Sequence, residues 1–153
     1  MFKLVKKTVS RKGALHFRRW AILETPWFNI YLHHLLKSDE DKDFHDHGWP
    51  FTSIILKGGY IEHSPTGSRT YTVGRIIEHA ASDPHKIELL EPTWTLVFTG
   101  KHRGFWGYHT PEGWVHHKIY RILKHSPKFG TFGAISTAKI SDFSTPMSRF
   151  KHD

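Results

Sequence analysis

Turn residues interrupt this chain so often that a long helix has no room in it. The 12 Gly and 8 Pro mostly separate short runs rich in β-branched and aromatic residues, and runs of that kind bounded by turn residues read as strands. Strands are expected at Leu15–Leu23, Phe28–Leu36, Phe51–Lys57, Tyr60–His63, Arg69–Val73, Arg75–His79, Lys86–Leu89, Thr93–Thr99, Phe105–Tyr108 and Val115–Ile122. Pro26, Pro65, Pro84, Pro92 and Pro111 fall between them, where a missing N–H costs no ladder hydrogen bond. Lys57-Gly58-Gly59-Tyr60 reads as a hairpin, because Gly-Gly accepts the positive φ of a primed two-residue turn. Lys37–Asp43 reads as a solvated charged loop. The expectation is an all-β, mainly antiparallel protein.

A chain of 153 residues is one ordinary domain, and we place it at 1–125. From Ser126 the pattern loses its period, leaving Phe129, Phe132, Phe143 and Phe150 on a tail over 126–153 that either packs on the domain or extends as a basic arm. With 38% hydrophobic and 14% aromatic residues the chain can build a core without staples. It has no cysteine, which excludes disulfides, thiolate zinc sites and a Cys nucleophile. A formal charge of +8 and a pI near 9.8 favour anionic partners. A small anionic molecule is the first expectation; nucleic acid along KLVKK and RKGALHFRRW is the weaker one, since such charges are usually a solvated face. No apolar window approaches the roughly 18 residues of a membrane span, and the opening MFKLVKKTVSRKG lacks an apolar signal region. A soluble cytoplasmic protein is expected. P-loop, Rossmann, nucleophile-elbow and H-E-x-x-H motifs are absent.

The composition is unusual in one respect, its 14 histidines. His45-Asp46-His47 places two imidazoles on one face of an extended strand. In so histidine-rich a chain roughly one H-x-H pair arises by chance, so the context must carry the argument. An apolar strand (FTSIILK) follows, then Gly58-Gly59, and later His85 after Pro84. That order resembles the cupin superfamily, whose first motif holds an H-x-H pair and a closing glycine and whose second supplies a further histidine. The resemblance runs from about Phe28 to Ile122 and is nearest the small metal-dependent proteins of the cysteine dioxygenase-like branch. It implies a double-stranded β-helix (jelly-roll) barrel with a metal on His45, His47 and His85.

Many cupins add a glutamate where this chain has Phe51 or Thr52; the three-histidine thiol dioxygenases do without one. Glu62 is the substitute, as a ligand or a base, although a hairpin at Gly58-Gly59 would pair it with Ile55 and turn it away from Thr52. Three neutral imidazoles suit Fe(II), Zn, Ni, Mn or Cu, and Fe(II) is the first expectation. Gly100–His117 (GKHRGFWGYHTPEGWVHH) crowds aromatic and polar tips as a pocket wall does. Trp106 and Tyr108 are expected to border the substrate, His109 to transfer protons, and Arg103, or alternatively Arg75, to anchor an anion. His33 and His34 should split across two strand faces, while His16, His63, His79, His102, His125 and His152 should face solvent. The leading reading is a mononuclear non-haem iron oxygenase acting on a small anionic or polar substrate. The alternatives are a metal-free sugar isomerase or epimerase of the same fold, and a basic non-catalytic module binding nucleic acid or protein. A homodimer through edge strands is plausible for such barrels.

Overall fold

Alternation of inward and outward side chains builds the main sheet from strands both adjacent and distant in the chain. The structure is a computed structural model and describes residues 5–11 and 14–124; the tail expected over 126–153 lies outside the described residues. In chain order the elements are β1 (Val5–Arg11), β2 (Ala14–Glu24), β3 (Asn29–Leu35), β4 (Phe44–His45), β5 (Phe51–Ser64), β6 (Gly67–Thr72), β7 (Ile76–His79), β8 (Lys86–Thr99), β9 (Gly107–Thr110), β10 (Gly113–His116) and α1 (His117–Lys124). One sheet runs β1-β2-β3-β8-β5-β6 with β7 also on β5, and a smaller one runs β10-β9-β4. Every pairing is antiparallel. The fold class is therefore the expected one, an all-β antiparallel jelly roll.

Two apolar clusters hold the inner face of the large sheet. Ala21, Tyr31 and Val97 pack with Phe51, and Ile55, Tyr60 and Ile77 pack with Tyr71, Ile87 and Leu89. Apart from Val97 the inward positions at this end of β8 are threonines: Thr93, Thr95 and Thr99 are all at or below 3% exposure. Thr95 and Thr99, with their small side chains, line a cavity in the middle of the fold. Among the described residues no helix is long and apolar enough to cross a membrane.

Three local expectations are corrected. Gly58-Gly59 is no hairpin: β5 runs straight through it, and the chain turns at Pro65-Thr66, where Ser64 pairs with Gly67. The glycines form a bulge against β8, with register slips on both sides of Lys57 and Gly59. Gly58 has φ +82, and Thr93 pins the bulge, its Oγ1 accepting from Gly59 N at 3.0 Å. An extra residue in a strand reverses which side chains face inward. Buried positions accordingly pass from Ser53 and Ile55 before the bulge to Tyr60 and Glu62 after it.

Second, β8 is one strand that includes Pro92. Pairing with β3 stops at Thr93, so Pro92 needs no N–H on that side. The loop before β4 serves the rest of that edge, with Asp39 Oδ2 accepting from Ile87 N at 2.8 Å and Ser38 Oγ from Leu89 N at 2.9 Å. Third, the strand expected at Val115–Ile122 ends at His116 and continues as α1. Its β-branched Ile119 and Ile122 suggest a strand, but Tyr120 docks the helix. The Tyr120 ring stacks on Tyr108 at 3.8 Å, its hydroxyl donates to Asp43 at 2.9 Å, and Lys124 pairs with Asp41.

Candidate metal centre

The three histidines are brought together by backbone pairing. His45 N donates to His85 O and His85 N to His45 O, both at 2.9 Å, so the two residues are directly opposed and their side chains share a face. His47 N donates to Ala81 O at 2.9 Å and extends that edge. The intervening Asp46 points the other way. Its carboxylate accepts from Gly107 N at 2.7 Å, Trp114 Nε1 at 2.8 Å and His109 Nε2 at 3.1 Å, and this buried anchor holds the β9–β10 hairpin against the back of the histidine pair.

The ligand nitrogens of His45, His47 and His85 all lie within 4.8 Å of one another, as do ligand atoms of Glu62, His79 and His85. His85 is common to both groups. His47 Nε2 and His85 Nε2 are 3.0 Å apart. Two imidazole nitrogens bound to one ion at about 2.1 Å and at right angles would stand about 3.0 Å apart. Burial above all, reinforced by neighbouring histidines, holds the pKa of both His47 and His85 well below the usual imidazole value, so both rings are uncharged near neutrality. His85 Nδ1 is buried without a hydrogen-bond partner. Neutral, convergent, otherwise under-used nitrogens fit a divalent transition metal.

Glu62 does not turn away from this cluster. The bulge swings it inward, where its Oε2 accepts from His79 Nε2 at 2.9 Å and lies 4.0 Å from His85 Nδ1. His79, expected in solvent, has a side chain only 9% exposed and stands beside Phe51 and His85 with ring centroids at 4.8 and 4.5 Å. It shares the inward face of its strand with the buried Ile77, a parity that adjacent Ile76 and Ile77 conceal in the sequence. His16 is likewise buried instead of exposed, whereas His63 pairs with Glu88 at the surface and His102 is exposed. His33 and His34 do split, His33 into the cavity and His34 stacked on Trp94 at 4.1 Å.

The cavity encloses about 180 Å³, and the histidine cluster forms one wall. Facing it are Arg19, His33, Phe51, Thr95 and Val97 from the large sheet. None of Arg75, Arg103, Trp106, Tyr108 and His109 lines it. Arg75 and Arg103 are exposed in turns. Register explains His109: it opposes Phe44 on β4, and so shares the outward face with Asp46. Tyr108 opposes His45, but its hydroxyl is drawn to Asp41 at 2.8 Å. Trp106 stacks on His117 at 4.3 Å, its centroid 6.3 Å from that of His45. Arg19 lies in a basic run that reads as a solvated face, although Phe17-x-Arg19-x-Ala21 alternates correctly for an inward position.

His33 makes a measurable contribution to acid sensitivity. Its Nε2 accepts from Arg19 Nε at 3.0 Å, and burial, with the Arg19 charge second, lowers its pKa from 6.5 to about 3. The unfolded chain therefore binds a proton below pH 6.5 that the folded chain refuses until about pH 3. Stability falls as pH drops through that window, by at most about 1.4 kcal/mol per pH unit from this residue. Urea denaturation between pH 7 and pH 4 is expected to show a shallower decline for His33→Gln, which retains an acceptor for Arg19. Equal slopes for the two proteins would contradict this account.

Neither a family model nor a curated protein sequence matches the chain; the likenesses are to solved structures. The polyketide cyclase RemF from Streptomyces resistomycificus superposes with a TM-score of 0.59 at 15% identity, covering 81% of this chain and 89% of that one. A cupin superfamily protein from Desulfitobacterium hafniense gives 0.50 at 13% identity, covering 61% and 83%. The fold is that of the cupins. A third cupin-fold neighbour, Fe(II) HppE, gives 0.55 at 10% identity and covers 63% of this chain, which spans only 56% of the HppE chain. At these identities the likeness concerns architecture alone. Phe51, which with Thr52 is where the resemblance leads one to expect a glutamate, has its ring 4.8 Å from that of His47, and a carboxylate reaches the cluster from Glu62.

Proposed function

We propose that this cupin is a mononuclear metal enzyme, a non-haem iron oxygenase acting on a small anionic substrate, with the ion held by His45, His47 and His85. The observation that carries the reading is the convergence of three histidines, two of them held neutral, in the wall of an internal cavity. Fe(II) on such ligands supplies open coordination positions and a net positive charge suited to O₂ and an anion; Zn, Ni and Mn accept the same donors. HppE, which shares the fold, holds Fe(II).

The chain's own residues do the remainder. Glu62 fixes the tautomer of His79 by accepting from its Nε2, and this pair, flanking His85, is positioned to hold or release a proton at the edge of the cavity. Phe51 and Val97 close the apolar side and exclude water. The test is metal analysis of purified protein, then anaerobic Fe(II) reconstitution and O₂ uptake with small thiols and carboxylates. One ion per chain and uptake reduced more than 100-fold by His47→Ala are the expected results. Protein without metal, or uptake indifferent to His47→Ala, would overturn the oxygenase reading and favour a metal-free isomerase.

A further inference from the structure

Arg19 stands in the cavity wall with Glu24 acting on its charge only from beyond ion-pair distance. A guanidinium carries five N–H donors; here Nε donates to His33 Nε2 at 3.0 Å, and one face is covered by the Tyr31 ring, whose centroid is 4.6 Å from Cζ. Among the described residues no carboxylate forms an ion pair with it. Glu24, the acid on the same strand, accepts instead from the Tyr31 hydroxyl at 3.2 Å. Within the cavity the two carboxylates are already engaged, Glu62 with His79 and Asp39 with the Ile87 amide. Four N–H groups on the two Nη atoms thus remain for whatever enters. A partly desolvated cation with no ion-pair partner in contact gains from an anion that enters from solution.

We infer that Arg19 is the anion anchor of the cavity and that it selects a small carboxylate, whose other end reaches the histidine centre. The planar Nη edge, left open in the plane of the guanidinium by His33 and Tyr31, matches the two oxygens of a carboxylate in a bidentate pair. A cavity of about 180 Å³ has room for a small carboxylate between Arg19 and the histidines. His33, a neutral acceptor, aims the fork without neutralising it. This inference rests on the metal-enzyme reading only for what the far end of the ligand meets; the anchor itself requires no metal.

Pyruvate binding to the full-length chain, followed by calorimetry as purified and again after metal removal, tests the anchor. Wild type is expected to bind in both states, Arg19→Gln at least tenfold more weakly in both, and Arg19→Lys in between, because an ammonium keeps the charge but loses the fork. Metal content should be the same in wild type and Arg19→Gln. Wild-type affinity in Arg19→Gln overturns the inference, as does loss of binding in Arg75→Gln or Arg103→Gln with Arg19→Gln unaffected. Inorganic phosphate binding tighter than both pyruvate and acetate overturns the carboxylate assignment. If Arg19→Gln fails to fold, Arg19→Lys decides, and unchanged affinity there refutes the fork. Arg19-dependent pyruvate binding by a protein that takes up no metal would sink the oxygenase reading while leaving the anchor standing.

Discussion

Replacing His85 by alanine is expected to abolish metal binding while leaving the fold intact. His85 belongs to both groups of convergent ligand atoms, so its loss leaves neither complete, whichever of them holds the ion. The backbone bridge to His45 uses only main-chain atoms, and alanine preserves it. A loss in Co(II) affinity of more than 100-fold, about 2.7 kcal/mol, should appear in a spectroscopic titration, with an unchanged circular dichroism spectrum. Glu62→Gln should cost about tenfold, the range for residues that orient ligands without binding the ion. A larger loss in Glu62→Gln than in His45→Ala would place the ion on Glu62, His79 and His85 instead.

The second large effect is structural and reaches the site from a distance. Gly58→Val is expected to destabilise the protein by about 3 kcal/mol or more, since a non-glycine residue in the left-handed region alone costs about 1–3 kcal/mol. A Cβ at that position would also lie 2.7 Å from both Pro92 O and Thr93 Oγ1, and Gly58 has φ +82. Gly67→Val provides the comparison, because Gly67 has φ +132 but nothing within 4 Å of its Cβ position. Chemical denaturation should separate the two by more than 1 kcal/mol; equal losses would mean that the close approach at the bulge is not a constraint.

The bulge also marks the boundary between what can be read from residues and what cannot. Short β-branched and aromatic runs between turn residues dictate an antiparallel all-β fold, because a two-residue period and frequent breaks leave no other regular structure. The H-x-H spacing likewise puts His45 and His47 on one face of any extended strand, whereas adjacent Ile76 and Ile77 leave open which face His79 takes. Whether Gly58-Gly59 turns the chain or merely shifts its register is not a local property. Gly-Gly permits both, and the choice is made by Thr93, 34 residues away, whose hydroxyl receives the Gly59 amide. The register slips there decide that Glu62 faces His79 instead of solvent.

The aromatic cluster around Trp106 to Trp114 shows the same limit from the other side. Its composition is that of a pocket wall, yet pairing of β9 with β4 gives His109 and Trp114 to Asp46, while Tyr108 goes to Asp41. Side-chain chemistry and period are written in the residues themselves; which polar group meets which depends on strand register and on carboxylates 60 or more positions apart in the chain. The residues of this protein thus determined an antiparallel β fold and the alignment of His45 with His47, and only the tertiary packing decided that Glu62, His79, His85 and Arg19 share one cavity, because long-range register and not local preference sets which faces meet.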